Sequence, residues 1–269
     1  MNSSPLPLVS FYMSVKNGFP FLQGSIESIK NQTYPNWEAV IVDDGSTDGS
    51  FSYLRDVEKK DSRFKVLSSQ GGGRGKSLNM AIMHAQGEYV ANLDADDLSH
   101  PQRLDVQVGI LLAQGIGFLY SETNYIHDDD VVEWKPIPRP YCQKVDDESR
   151  ELMKRNPVSH ISVICLRKNI LQVGGYSEER KSQLDYELWF RLVKEGGRLQ
   201  KTSYSLAAKR IHTGQSFENK KRISYLLSTA LLQNRIISEM KGGWRYRLFP
   251  FLRFFYGLLP QKIRVRRVL

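Results

Sequence analysis

Two periods of hydrophobicity alternate along the first hundred residues. Leu8–Val15, Trp37–Val42, Phe64–Leu67 and Tyr89–Leu93 are apolar runs of strand length. Between them the apolar positions fall at helical spacing: Phe21, Leu22, Ile26 and Ile29 within Pro20–Gln32, then Asp48–Lys60 and Gly75–Ala85. Strands that alternate with helices predict βαβ units and a mostly parallel central sheet flanked by helices. The expected fold class is therefore α/β and Rossmann-like, with ligands beyond the carboxyl ends of the strands. After Pro101 the pattern changes. Arg103–Gln114 reads as a helix and Gly117–Tyr125 as a strand, followed by an irregular stretch with Pro136, Pro138 and Pro140. Ser159–Leu166 reads as a strand, Leu184–Lys194 as a helix and Ser216–Met240 as a long amphipathic helix. No internal repeat or low-complexity segment interrupts this order.

Acidic residues collect where that sheet is expected to bind. Asp43-Asp44 ends the second strand, and Asp94, Asp96 and Asp97 follow the fourth. Like charges at strand ends repel, so they make sense around a cation or a polyhydroxylated ligand; hard divalent ions take oxygen ligands. A solvated acidic turn is the alternative, and two such clusters at the same predicted edge count against it. Between them, Gly71-Gly72-Gly73-Arg74-Gly75-Lys76-Ser77 resembles a phosphate-binding P-loop that opens a helix. The pattern requires glycine at position 70, where this chain has Gln70. A P-loop-like phosphotransferase thus stands as an alternative reading. In either case the glycines at a helix N-terminus, with Arg74 and Lys76, make a candidate anion site.

Composition narrows the class. Of 269 residues, 41% are hydrophobic and 25% charged, an ordinary globular balance. Two cysteines, Cys142 and Cys165, supply neither a disulfide framework nor a zinc cluster and suit a reducing compartment. Met1–Pro7 lacks the features of a signal peptide, and no apolar run reaches membrane-spanning length. The net charge of +9 is concentrated at one end: Lys241–Leu269 holds eight cations and no Asp or Glu, leaving 30 Lys and Arg against 29 Asp and Glu elsewhere. An anionic partner is expected to meet this tail.

Four segments in order carry a resemblance: Val9–Gly18, Ala39–Asp48 with D-D-G-S-T-D, Gly87–Asp97 with D-A-D-D, and Leu184–Leu192 around Asp185. Together they resemble the family 2 inverting glycosyltransferases of GT-A fold. Gln32-Thr33-Tyr34-Pro35, Ser77-Leu78-Asn79, Pro101-x-Arg103-Leu104, Val173-Gly174-Gly175-Tyr176 and Arg210-Ile211-His212 add to it. The resemblance runs from about Leu8 to Phe217. It implies a glycosyltransferase domain over 1–217, with a nucleotide-binding half at 8–125 and an acceptor half at 126–217, and an amphipathic helix and basic tail over 218–269.

The resemblance also implies roles. Asp44 would accept a hydrogen bond from the donor base, since an ionised carboxylate only accepts; Asp43 would shape its turn. Asp94, Asn17, Arg74 and Lys76 would complete the donor site. Asp96 would ligate Mn²⁺ or Mg²⁺ on the diphosphate, with His212, while Asp97 would cap the next segment. Asp94 and Asp96, two apart in an extended segment, would face one side. Asp185 would be the catalytic base, and His160 and Tyr176 would meet the acceptor. Two departures stand out: Leu184 precedes Asp185 where the family commonly has Glu, and Ser14–Phe19 alters the edge that cradles the base. The implied reaction is metal-dependent transfer from a nucleotide-diphosphate sugar, UDP-linked by expectation, to a glycan acceptor that is lipid-linked, in cell-surface polysaccharide synthesis. A non-catalytic glycan- or membrane-binding relative is the other alternative. The basic, aromatic Trp244–Pro260, interrupted by Pro250, fits an anionic membrane surface better than nucleic acid; a helix packed on the domain with snorkelling arginines is the alternative. The expected location is cytoplasmic, peripheral on the inner face of the cell membrane.

Overall fold

The computed structural model describes residues 5–127, 130–141, 143–212 and 222–259. Four parallel strands form its first half: β1 (Val9–Val15), β2 (Trp37–Asp43), β3 (Phe64–Ser68) and β4 (Tyr89–Asn92). β1 pairs with β2 on one side and β4 on the other, and β3 lies outside β2. The chain thus winds outward from β1 to β3 and returns to the far side of β1 for β4. That reversal creates a crevice beyond the carboxyl ends of β1 and β4, the place where such sheets bind ligands. The strands are buried on both faces, which explains their near-continuous apolar character.

Helices cover the two faces. α1 (Leu22–Lys30), α2 (Ser50–Lys60) and α4 (Arg103–Gln114) set Leu22, Ile26, Leu54, Leu104 and Ile110 against Phe11, Met13 and Ile41. α3 (Arg74–His84) and α6 (Leu184–Lys194) pack Leu78, Ile82, Leu188 and Trp189 against Tyr12, Val40 and Val90 on the opposite face. The sheet continues through β8 (Ile164–Leu166), β6 (Phe118–His127), β9 (Gln200–Ile211) and β5 (Leu98–Ser99), with β7 (Asp146–Asp147) on β9. β6 and β9 run parallel, while β8, β5 and β7 run antiparallel to their neighbours. A short α5 (Arg167–Gln172) follows β8.

Three expectations change. Ser159–Leu166 is not one strand: His160–Ser162 forms a 3₁₀ turn and only Ile164–Leu166 pairs. The buried Arg103 and Gln107 of α4 donate to the carbonyls of Val163 and Ser162, and the Ser162 hydroxyl donates to Ser159 O and accepts from Ser121 N–H. Side chains therefore take backbone groups that a strand would need. The twelve-residue β9 has no counterpart in the expected elements. Its first half, Gln200–Ser205, is polar, and its pairing with the distant β6 shifts register at Ser121/Glu122 and Glu122/Thr123.

The third change concerns Pro250. It lies in the first turn of α8 (Leu248–Leu258), where the missing N–H has no helical partner to lose, so the helix is not interrupted there. The long helix is observed as α7 (Arg222–Glu239); its expected first residues, the 217/218 boundary, Cys142 and the cations beyond Pro260 lie outside the described residues. α7 packs Leu232, Ile236 and Ile237 into the second core, and Gln233 donates to the carbonyls of Met153 and Lys154.

Candidate active site

Four loops meet beyond β1, β2 and β4. In the first, Asn17 adopts a left-handed φ of 54°. Its N–H donates to Ser46 Oγ at 2.9 Å and its Oδ1 accepts from Thr47 N–H at 2.8 Å, tying the β1 loop to the D-D-G-S-T turn. In that turn Asp43 Oδ1 accepts from the N–H groups of Gly45 and Ser46, a turn-shaping bond. Asp44 is buried. Its Oδ1 accepts from Ser69 Oγ at 2.6 Å, Ser77 Oγ at 3.2 Å and Gly73 N–H at 2.9 Å, and its Oδ2 lies 4.0 Å from Lys16 Nζ. One oxygen thus holds the glycine loop and leaves the other facing the β1 loop.

The glycine loop differs from an open phosphate cradle. Gly73 N–H already serves Asp44. The exposed Lys76 folds back over Gly72: a Cβ placed there would come within 2.5 Å of its Cδ. Arg74, the first residue of α3, turns instead to the acidic cluster. Its Nη2 donates to both oxygens of Asp94, at 2.8 and 2.7 Å, and lies 3.5 Å from His160 Nδ1. Burial works against the Asp94 charge, but the Arg74 guanidinium and then His160 outweigh it and hold this carboxyl below the usual range.

Residues 94–97 form a turn, with Asp97 N–H donating to Asp94 O, so Asp94 and Asp96 take different partners rather than sharing one face of an extended segment. Asp96 Oδ2 lies 3.0 Å from His212 Nε2, and that imidazole packs on Phe21 at 4.8 Å between ring centroids. Asp97 is buried and accepts from Arg210 N–H at 2.7 Å, anchoring the end of β9. Burial, then the charges of Asp96 and Asp94, push its carboxyl well up.

Asp185 sits in the first turn of α6, two residues after Gln183 with its φ of 57°. Asn156 Nδ2 donates to its Oδ2 at 2.7 Å, and its charge acts on both Arg74 and His160. His160 Nε2 is 2.6 Å from Tyr176 Oη, which lies 2.7 Å from Tyr12 Oη. Burial lowers the His160 imidazole and raises both phenols, so all three rings are neutral near pH 7. Tyr176 is 1% exposed and meets the core rather than an open surface.

The structure thus gathers Asp44, Asp94, Arg74, His160, Asp96 and His212 around one crevice, within reach of the Asp185 charge. Asn17 supports a loop, and Lys76 makes no recorded bond into the crevice. Sequence reasoning missed Tyr12, Asn156 and Ser69, and gave Arg210 no role beyond its motif. Of the three missed residues only Tyr12 carried a signal: a phenol inside an otherwise apolar central strand needs a partner.

A divalent ion fits the Asp96–His212 pair. A partly exposed carboxylate beside an imidazole nitrogen offers an O,N donor set acceptable to Mn²⁺ or Mg²⁺, with the remaining positions open to substrate phosphate and water. Among the described residues no group of three His, Cys, Asp or Glu side chains converges on one point, so the protein alone would not enclose the ion.

Comparison with known proteins agrees with this fold. The family model for glycosyl transferase family 2 matches residues 10–167. EpsE of Bacillus subtilis (strain 168) is 28% identical over 271 residues, covering 95% of this chain and 91% of that protein. The Escherichia coli UDP-Glc:alpha-D-GlcNAc-diphosphoundecaprenol beta-1,3-glucosyltransferase WfgD is 30% identical over 189 residues, 70% of each chain. Among solved structures, S. aureus TarS 1–349 in complex with UDP-GlcNAc superposes with a TM-score of 0.70 at 18% identity, over 94% of this chain and 76% of TarS. The mannosyltransferase PcManGT from Pyrobaculum calidifontis, in complex with GDP-Man and Mn²⁺, gives 0.61 at 17% identity, over 93% and 69%.

Proposed function

The chain belongs to glycosyl transferase family 2, and from that premise we propose that it catalyses metal-dependent, inverting transfer from a nucleotide-diphosphate sugar, expected to be UDP-linked, to a lipid-linked glycan acceptor. The observation that carries this reading is the convergence of Asp44, Asp94 and the Asp96–His212 pair on the crevice between β1 and β4, with the Asp185 charge acting on Arg74 and His160 beside Asp94. Asp44 and Asp94 bind the nucleoside. Asp96 and His212 would hold Mn²⁺ or Mg²⁺, whose chemistry when bound is to offset the charge of the leaving diphosphate. Arg74 adds a fixed cation beside it. The acceptor hydroxyl attacks the anomeric carbon from the face opposite the nucleotide, and its proton passes to an oxygen of Asp185. The bond from that carbon to the diphosphate oxygen breaks, and the nucleoside diphosphate departs with the electron pair. Asn156, donating to Oδ2, orients the carboxylate.

Donor and acceptor classes are supported by similarity: WfgD is named for a UDP-Glc donor and a diphosphoundecaprenol-linked acceptor, and TarS has been crystallised with UDP-GlcNAc. Surface polysaccharide synthesis is the corresponding role. The membrane surface is supported by α8. No described helix is long and apolar enough to cross a membrane. Yet α8 is apolar apart from Arg253 and buries only Pro250 and Gly257. A helix apolar on nearly every side belongs in an apolar medium, and Arg245, Arg247 and Arg253 beside it suit anionic lipid at the inner membrane face.

The test is release of UDP from UDP-sugars, with and without a polyprenyl-diphosphate glycan acceptor, in Mn²⁺ and in chelator. Acceptor-dependent, Mn²⁺-dependent turnover is expected. Binding of nucleotide sugar with no turnover would establish the non-catalytic alternative instead. The phosphotransferase alternative has no support from the glycine loop, where Lys76 covers Gly72 and Gly73 N–H serves Asp44.

A further inference from the structure

His160 and Tyr176 are expected from the sequence to meet the acceptor, but their hydrogen bonds point elsewhere. His160 Nδ1 lies 3.5 Å from Arg74 Nη2, which carries only donors, and 3.9 Å from Asp94 Oδ1. With Nδ1 accepting from Arg74, the proton of the neutral ring sits on Nε2 and is donated to Tyr176 Oη at 2.6 Å. Tyr176 in turn donates to Tyr12 Oη at 2.7 Å, on the central strand β1. Each link fixes the direction of the next, because an occupied acceptor leaves its neighbour one orientation.

The rings are held as firmly as the hydrogen bonds. His160 meets Tyr176 edge-on at 5.7 Å, Tyr12 at 6.5 Å and the fully buried Trp189 at 6.0 Å. The backbone of Tyr176 is clamped by Asn79: its N–H donates to Asn79 Oδ1 at 2.7 Å, and Asn79 Nδ2 donates to its carbonyl at 2.8 Å. Gly175 permits this approach, since it has a φ of 70° and a Cβ there would lie 2.4 Å from Asn79 Oδ1. Asn79 and Arg74 belong to the same helix, α3. A closed circuit results, from Arg74 through His160 and Tyr176 to Asn79 and back along α3.

We propose that Tyr12, Tyr176 and His160 are positioning residues for Arg74: they hold its guanidinium on Asp94 at the mouth of the crevice, so that a cation is already in place when a nucleoside diphosphate arrives. Without it, Asp44, Asp94 and Asp96 would present an acidic edge to an acidic ligand. Holding the guanidinium in advance removes the ordering cost from the binding step. The inference rests on Arg74 serving the donor site.

The test uses the full chain, UDP with Mn²⁺ as probe, calorimetric affinity, and donor KM and kcat where turnover is measurable. Arg74→Gln is expected to weaken UDP by about tenfold or more, the size of one lost charge-assisted contact. Tyr176→Phe and His160→Phe are expected to weaken it severalfold, raising donor KM with kcat changed less than about twofold. His160→Gln, which retains an acceptor, restores most of the affinity. In the Arg74→Gln background, Tyr176→Phe has no further effect. Additive losses, or a fall in kcat at unchanged KM, would overturn the proposal. Should Tyr176→Phe lower the melting temperature, Tyr12→Phe cuts the same chain one link farther from Arg74 and is read in its place. If Arg74→Gln leaves UDP affinity unchanged while Asp44→Asn abolishes it, the donor site stands and both Arg74's part in it and this chain fail. If the parent chain does not bind UDP, the donor reading itself fails as well.

Discussion

The crevice edge and helix α8 depart from the inside-out rule in opposite senses. At the crevice, charge is hidden: Asp43, Asp44 and Asp97 are each less than 5% exposed. On α8, apolar surface is shown: Phe251 and Leu252 are each 59% exposed, as is Phe255 at 52%. Buried carboxylates and contiguous exposed apolar groups are each unusual, and each is informative where a lone exposed leucine is not. The difference lies in their partners. The buried acids are bound by the chain's own donors: Ser69, Ser77 and Gly73 for Asp44, and Arg210 for Asp97. α8 meets α7 closely at Gly257, where a Cβ would lie 2.3 Å from Leu226, and buries Pro250, while Phe251, Leu252 and Phe255 face outward. The first region holds its polar groups with bonds of its own, as the proposed donor site requires, while the second shows the apolar surface that the proposed membrane contact requires.

The largest expected effects lie within the first region. Asp185→Asn and Asp96→Ala should each lower transfer by about 10²–10⁴-fold, the usual share of a general base or a charge-stabilising group. Both side chains are partly exposed, so the melting temperature should hold. Transfer at the parent rate by either variant would remove that residue from the mechanism. Asp44→Ala differs in kind: it strips an acceptor from three buried or half-buried donors and should cost about 1–3 kcal/mol of stability in addition to UDP affinity. Loss of affinity without loss of stability would show that Asp44 serves ligand alone.

The two regions were unequally legible in the sequence. The parallel half was readable because each of β1, β2 and β4 is apolar on both faces and each helix between them buries one stripe. The D-D-G-S and D-A-D-D acids were readable because charges at strand ends call for a ligand. What escaped depends on distant residues. β9 is polar over Gln200–Ser205 and becomes a strand only because β6 lies beside it. His160 is in a 3₁₀ turn because Arg103 and Gln107, more than fifty residues away, claim the carbonyls of Val163 and Ser162. Asp94 shows an ion pair instead of an open face because Arg74 begins the neighbouring helix. Local pattern cannot encode such partners.

The second region is tested through its apolar face. Phe251→Asp combined with Phe255→Asp should reduce the affinity of the full chain for sedimenting phosphatidylglycerol vesicles by about a hundredfold or more, since two buried aromatics contribute roughly 1.5–3 kcal/mol each. UDP binding should not change, because Phe251 and Phe255 are more than half exposed and the bonds that hold Asp44, Asp94 and Asp96 come from other elements. Raising salt should weaken the parent's binding by screening its arginines. Undiminished sedimentation of the double variant would break the contrast, leaving α8 an ordinary surface helix.

The smallest effect extends the comparison to a buried imidazole that, like Asp44 and Asp97, takes its partners from the chain. His100 lies between β5 and α4, 3% exposed. Its Nδ1 accepts from Gln102 N–H at 2.9 Å, so Nε2–H donates to Lys135 O at 3.1 Å, with Trp134 packed against the ring. Burial lowers its pKa. A lowered base is protonated first in the unfolded chain, so its contribution is complete above the unfolded imidazole value of about 6.5 and declines as pH falls through that value towards the folded one. The melting temperature of the parent minus that of His100→Gln should therefore shrink steadily between pH 7.5 and pH 5. A constant difference would mean that His100 is not held neutral by its two hydrogen bonds, and that this end of the sheet tolerates charge the crevice must balance.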